Sequence, residues 1–362
     1  MRILYGITAN GNGHLARSGR VVEELRRRGH ELTLVVSGSP GRELLGEERL
    51  RPYLRFDGFS FAENGGRVSA LSTVLASRPL RFLRDLAGGI PPGPYELAVT
   101  DFEPLVGWYA LTRRIPSAGI CHMYSFLYPG VPKPPARWFE RLAFRWLAPA
   151  DVMLGIHWHP YHRLVVPPFV EAPRGGPSDP ATALVYLPWE DPALYLPALM
   201  AQEGYRFVVY GGGERAEALY REALKARSGG AELDFRRPDP EGFQRELDAA
   251  GTVIANAGFA LAGEALAKGK RLIMKPYAGQ LEQEHNAREA ERLGFALRLR
   301  ALDAASVAAA LRATPAPGGA ASRGSPPLTF PAMLPRFVNW LEEGAPEPDE
   351  ARHRAFWAPD AP

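Results

Sequence analysis

Two doubly wound α/β domains are what the sequence predicts, and three observations carry that reading. Short β-rich runs alternate with longer amphipathic ones from the first residue, a Pro- and Gly-rich stretch interrupts them near the middle, and the alternation then restarts. Strands alternating with helices of this length imply parallel sheets covered on both faces. Length agrees, since 362 residues at about 150 per domain suggests two domains.

In the first half the β runs are RILYGIT, ELTLVVS, ELAVTD, SAGICH and DVMLGIH, with helices expected over 14–28, 68–86, 105–114 and 135–147. The first helix is the best signalled: Leu15, Val21, Val22 and Leu25 share a face, Arg26, Arg27 and Arg28 close its last turn, and Gly29 follows as a C-cap. VPPFVEAPRGGPSDPAT, between Val166 and Thr182, reads as a linker. After it ALVYLPW, RFVVYGGG, AELDFRR, TVIANAG, RLIMKPY and FALRLR alternate with helices near 192–203, 214–226, 241–249, 258–268, 282–293 and 303–313. Residues 314–327 form another loop, PAMLPRFVNWLEEG a last helix, and the chain from Ala345 on is expected to be irregular, with Trp357 pinning it to the body. The expected division is residues 1–165, a linker 166–181, a second domain 182–330, and a C-terminal helix and tail 331–362.

Composition excludes several classes. Acidic residues number 40 against 43 basic ones, so a net charge of +3 and a pI near 9.0 leave no case for nucleic acid, which calls for a clustered basic face. Cys121 is the only cysteine, ruling out an internal disulfide and a cysteine-based zinc site. No apolar run approaches the roughly 18 residues needed to span a bilayer. MRILYGITANGNGH enters a strand and a polar turn instead of a secretory h-region, so a cytoplasmic location is expected.

Ligands of doubly wound sheets bind outside the carboxyl ends of the strands, so the strand-to-helix turns are where chemistry is sought, in a cleft between the two domains. The opening turn, TANGNGHLAR, holds Gly11, Gly13 and Ala16 in a GxGxxA pattern, a weak match to a dinucleotide fingerprint. That fingerprint wants a carboxylate at the end of the second strand, where this chain has Ser37. The rival reading takes His14 as a general base: AVTDFEP puts Asp101 on the same rim, and a carboxylate behind a His fixes its tautomer and stabilises the imidazolium. Taken singly, His14 is an ordinary helix-start residue and Asp101 a helix N-cap ahead of Pro104. In the second half, VIANAGFALAGEALAKGKRLIMKP is a strand, a small-residue turn and a helix, with Gly258 where free N–H groups would bind a diphosphate. Glu264 in that helix can reach ribose hydroxyls, and Glu282 with Gln283 can grip sugar hydroxyls; each is equally an ordinary helix residue. YGGGE adds a third glycine turn at Gly211.

GNGHLAR, DFEPLVGWYALTRRIP and above all ANAGFALAGEALAKGKRLIMKPYAGQLEQEHNA resemble GT-B-fold glycosyltransferases. That group includes UDP-dependent small-molecule glucosyltransferases and the lipid-linked N-acetylglucosaminyltransferase of cell-wall synthesis. The resemblance is closest to a prokaryotic branch with GHxxR, DFEP and EQ..NA patterns, and it covers about residues 1–300. It implies two Rossmann-like domains facing across a cleft. It further implies His14 as catalytic base with Asp101 as its partner, Asn256 and Gly258 with Gly13, Gly211 and Phe259 on the donor, Glu264 on ribose, and Glu282 and Gln283 on the donor sugar. Asn286 is read as a helix-locking residue. Where relatives often have Trp, Asn and Ser after the phosphate-turn glycine, this chain has Phe259, Ala260 and Leu261, which leaves more of the phosphate contact to the backbone. The implied reaction is inverting transfer from a nucleotide sugar, UDP being the expected nucleotide, with no metal and no cofactor.

The acceptor is a hydroxyl compound, with Glu103 and His122 as candidate lining residues. Residues 124–147 bring Tyr124, Phe126, Tyr128, Trp138, Phe139, Phe144 and Trp146 together with Lys133, Arg137, Arg141 and Arg145. One reading is an apolar acceptor slot, or a patch resting on the inner membrane face beside a lipid-linked acceptor. The preferred reading makes Trp138, Leu142 and Trp146 the core face of a helix. A nucleotide-sugar epimerase of the same fold and a non-catalytic nucleotide-sugar-binding protein are the alternatives to transfer.

Overall fold

A computed structural model describes residues 1–38, 44, 47–58, 63–64, 67–68, 79–134, 144–171, 178–211, 214–225, 230–313 and 330–360. The chain divides into two units, Met1–Phe169 with Phe330–Pro362, and Val170–Thr329.

RILYGIT carries apolar side chains at adjacent positions, which suits a strand buried on both faces. It forms β1 (Arg2–Thr8), where Ile3, Leu4, Tyr5 and Ile7 are fully buried. β2 (Glu31–Ser37) pairs with it on one side and β6 (Leu97–Asp101) on the other, both parallel. With β3 (Leu54–Phe56), β7 (Ser117–Cys121), β8 (Val152–Ile156) and β9 (Val165–Val166), the sheet order is β3-β2-β1-β6-β7-β8-β9. Short β3 and β9 extend the five expected strands, and a small antiparallel hairpin, β4 (Glu63–Asn64) with β5 (Arg67–Val68), stands apart. α1 (Asn12–Arg27) buries Leu15, Val21, Val22 and Leu25, and Gly29 takes φ +84° just beyond it. α2 (Pro79–Gly88) occupies the end of the helix expected over 68–86, most of whose earlier residues lie outside the described ones. α3 (Pro104–Arg113) presses on β1 so closely that a Cβ at Gly6 would lie 2.7 Å from Val106 Cβ.

α4 (His122–Ser125) is a single turn after β7. The tail is more regular than its sequence suggested. α11 (Met333–Glu342) is followed by α12 (Glu350–Trp357), a helix where irregular chain was expected. Asp349 caps α12 by accepting the Arg352 N–H, a cap that stops the helix N-terminus from fraying. Both helices pack on the first unit. Phe337 meets Phe169 edge to face at 5.2 Å, Arg28 reaches Asn339 and Glu342 at 2.7 Å, and Trp357 Nε1 donates to the Val165 carbonyl at 2.8 Å.

The second unit repeats the design. β10 (Asp179–Tyr186), β11 (Arg206–Tyr210), β12 (Glu232–Arg236), β13 (Ala250–Asn256), β14 (Arg271–Lys275) and β15 (Leu297–Arg298) are all parallel, in the order β12-β11-β10-β13-β14-β15. α5 (Pro192–Met200), α6 (Glu214–Lys225), α7 (Pro240–Ala249), α8 (Phe259–Ala267), α9 (Leu281–Arg292) and α10 (Ala304–Ala313) connect and cover them. Ala183, Val185, Phe207, Val209, Ile254 and Ile273 form the centre of its core. Each sheet reverses its strand order once, between β1 and β6 and between β10 and β13. A crevice opens at such a reversal because the connections on its two sides run in opposite directions.

Candidate active site

His14 and Asp101 meet at the reversal point of the first sheet. Asp101 is the last residue of β6 and lies beside Ile7 of β1, while His14 is the third residue of α1, the helix that leaves β1. Gly11 is the N-cap of α1 in extended conformation, without a side-chain cap. His14 Nδ1 lies 2.7 Å from Asp101 Oδ1, with the imidazole side chain a quarter exposed and the carboxylate fully buried. Nδ1 donating to the carboxylate leaves Nε2 with the lone pair a general base needs.

The carboxylate is held from other sides as well. Arg17 donates through Nε to Oδ2 at 3.1 Å and through Nη2 to Oδ1, Ser18 Oγ donates to Oδ2 at 2.7 Å, and Arg17 Nη2 lies 3.2 Å from His14 Nδ1. Burial by itself would push the Asp101 carboxyl up, but Arg17 and His14 outweigh it and hold it below the ordinary aspartate value. Arg17 is itself buried. GHxxR contains this arginine one helical turn after His14, a spacing that puts both side chains on one face, yet the sequence reading assigned it no role.

Asp101 does not cap the next helix, as its isolated reading had it. Phe102 turns the chain with φ +53°, a left-handed conformation costly for a residue with a Cβ, and this brings Glu103 to the N-cap of α3. Glu103 is fully buried and accepts from Leu105 N at 2.9 Å, Val106 N at 2.7 Å and Ser37 Oγ at 2.6 Å. It therefore does not line an acceptor site. Neither does His122: it is buried, and its Nδ1 lies 2.8 Å from the Ile156 carbonyl. Tyr124 and Phe126 are core residues rather than slot residues, while Trp146 is exposed and stacks on Trp108. Trp138, Phe139, Arg137, Arg141 and Leu142 lie outside the described residues.

In the second unit Gly258 is the N-cap of α8, with no side-chain cap. Its φ of −71° is open to any residue, and a Cβ added there would meet nothing within 4 Å. Glu264 lies in the second turn of α8, half-buried, and accepts from Gln244 Nε2 at 2.9 Å. Gly211 follows β11, where a Cβ would lie 2.9 Å from the Phe235 ring, so packing already accounts for this glycine; Gly212 and Gly213 lie outside the described residues.

Two expected donor contacts are engaged within the fold. Asn256, at the end of β13, accepts Trp189 N–H at 3.2 Å and donates to the Lys275 carbonyl at 3.0 Å. Gln283 is buried and its Oε1 accepts Tyr277 N–H at 2.9 Å. Glu282 beside it stays half-exposed in the first turn of α9. Asn286 is fully buried and ties α9 to the Ala257 carbonyl at 3.0 Å. Gly13, at the start of α1, and Phe259, buried at the start of α8, lie at the two helix N-termini. Trp189, Tyr277, Glu190 and Lys275 also stand on this rim and were not singled out from the sequence.

Two such sheets, each reversing its strand order once and joined in one chain, define the GT-B fold. The chain matches the model of glycosyl transferase family 1 over residues 1–143 and 166–315, and it belongs to that family. Similar solved structures include the glycotransferase of kitacinnamycin (TM-score 0.58, 16% identity, covering 98% of this chain and 95% of that one). Another is Os79 from O. sativa in complex with UDP (0.57, 15%, 86% and 90%). A third is a protein described as a UDP-N-acetylglucosamine 2-epimerase from Listeria monocytogenes (0.58, 11%, 96% and 98%). At these identities the likeness is one of fold. No curated relative matches the chain. Sugar transfer from a nucleotide sugar is the activity class that family membership carries. Among the described residues no helix is long and apolar enough to cross a membrane.

Proposed function

We propose that the protein is an inverting glycosyltransferase in which His14 deprotonates an acceptor hydroxyl. The His14–Asp101 pair at the carboxyl rim of the first sheet is the observation that carries this reading. The hydroxyl proton passes to His14 Nε2 as its oxygen forms a bond to the anomeric carbon. The bond from that carbon to the nucleoside diphosphate breaks on the opposite face, inverting the configuration. Asp101 stabilises the imidazolium so formed. The departing diphosphate, UDP, is held by the first N–H groups of α8, where the helix dipole favours negative charge. Glu264 takes the ribose and Glu282 the sugar hydroxyls. The acceptor is an apolar or lipid-linked alcohol, and the exposed Trp146 beside exposed Arg145 fits a peripheral contact with the membrane that carries it.

Calorimetry with a panel of nucleotide sugars, followed by mass detection of products in the presence of acceptor extracts, tests this. Free nucleoside diphosphate together with a glycosylated acceptor is the expected result, and His14→Ala should lower turnover at least a hundredfold while donor affinity stays put. An altered nucleotide sugar without an acceptor product would establish the epimerase instead, and binding without any turnover a carrier protein. Undiminished transfer by His14→Ala would remove the base from the mechanism.

A further inference from the structure

We propose that Trp189 and Tyr277 form an aromatic platform on which the sugar ring of the donor lies, with Asn256 and Gln283 as positioning residues that hold it; this rests on the placement of the donor in the second unit. Trp189 follows β10 and Tyr277 follows β14, the two strands that flank β13, so the pair spans the end of β13 at the reversal point. The rings are 5.7 Å apart and inclined at 42°, and Trp189 is 44% exposed. Leaving a Trp this open forgoes much of the burial its large apolar surface would otherwise contribute.

The main chains of both aromatic residues are pinned by buried amides. Asn256 Oδ1 accepts the Trp189 N–H and Gln283 Oε1 the Tyr277 N–H. A second hydrogen bond, from Asn256 to the Lys275 carbonyl, fixes the Asn side chain in turn. Two amides that the sequence pattern placed on the donor thus hold the residues that present an apolar face to it. Charged residues stand on the adjoining turns: Lys275, two residues before Tyr277, lies with its Nζ 3.2 Å from Oε1 of Glu190, the residue after Trp189, and half-exposed Glu282 opens the neighbouring helix.

An apolar face bordered by carboxylates and an ammonium matches a pyranose, which has C–H bonds on its face and hydroxyls around its edge. A phosphate there would find the Lys275 ammonium already paired with Glu190 and would meet the like charge of Glu282, which repels it. A wholly apolar ligand would desolvate the same charged groups without hydrogen-bonding them.

The test is calorimetry on the full-length protein with UDP-glucose, UDP-galactose, UDP-N-acetylglucosamine and UDP. For whichever UDP-sugar the wild type binds most tightly, Trp189→Leu and Tyr277→Leu should each weaken binding about tenfold, with UDP affinity changed less than twofold, in proteins whose thermal unfolding matches the wild type. Gln283→Ala should lower the same ratio of UDP-sugar to UDP affinity, and Gln283→Glu, which keeps an acceptor oxygen for Tyr277 N–H, should restore it. Equal losses for UDP-sugar and UDP would assign the platform to the nucleobase or phosphates, and no loss would remove it; either overturns the proposal while the donor site stands. A wild type that binds none of the four removes the donor placement itself and the platform with it.

Discussion

Asp101 shows how one buried carboxylate organises a site. Its two oxygens accept from His14, Arg17 and Ser18, so the charge is shared with a buried guanidinium. Removing one member of a buried ion pair leaves the other uncompensated, at about 3–5 kcal/mol. Arg17→Met should lower stability in urea by that much, and adding Asp101→Asn should recover part of it; a single variant as stable as wild type would mean the pair is not what holds this corner. His285 offers a second reading at this scale. Burial lowers its pKa to about 4, so it is neutral in the fold, whereas in the unfolded chain it titrates near 6.5. Above pH 6.5 the difference has no effect. Between 6.5 and 4 only the unfolded chain takes up the proton, and stability falls by up to about 1.4 kcal/mol per pH unit. His285→Gln should flatten urea-derived stability curves across that window, and wild-type and variant curves running parallel there would exclude a buried neutral His285.

The strand-to-helix turns are where local sequence and distant packing meet. Pro104 and the acidic residues before it marked a helix start, but whether Asp101 or Glu103 would cap α3 depended on the left-handed turn at Phe102, which tertiary packing holds in place. Thr100 stitches that turn, its Oγ1 donating to the Glu103 carbonyl at 2.8 Å and accepting the Glu103 N–H at 2.7 Å. Gly258 presents the opposite case: its backbone angles and surroundings tolerate a side chain, so neither conformation nor packing demands glycine. Gly258→Leu should therefore fold with an unchanged melting temperature and bind UDP at least tenfold more weakly. Unchanged UDP affinity would mean that the N-terminus of α8 is not the diphosphate site. Strand and helix positions in the second unit were legible because apolar runs alternate there with amphipathic ones between clear turn residues, and even two-residue β15 falls inside the apolar run FALRLR. Short β3 and β9 were not, since their two or three residues carry no period and sit among prolines and charged residues with no longer apolar run around them.

At the scale of the whole chain, the last 33 residues return to the first unit after the second has been completed. Met333, Phe337, Val338, Trp340 and Leu341 are all buried there. At about 1.5–3 kcal/mol for each large side chain, their loss rivals the 5–15 kcal/mol by which a typical domain is stable. A chain ending at Thr329 should lose hydrogen-exchange protection in β1, β2 and β6 while β10 and β13 keep theirs; protection lost equally in both units would contradict this division. The sequence showed a helix in this segment and a Trp able to anchor the tail, but not which body receives them. That depends on surfaces more than 150 residues away, such as Arg28 and the Val165 carbonyl.

What the sequence by itself determined is the two-sheet α/β architecture, the places of the strand-to-helix turns and the pairing of His14 with Asp101, because hydrophobic period, glycine turns and strand ends are local signals. Tertiary structure alone decided the partners of each polar side chain. Glu103 and His122 turned inward, Asn256 and Gln283 became ties for Trp189 and Tyr277, and Arg17 joined the carboxylate beside His14. A buried donor or acceptor must find a partner wherever the fold places one, and that neighbour is set by how strands distant in sequence come to lie side by side.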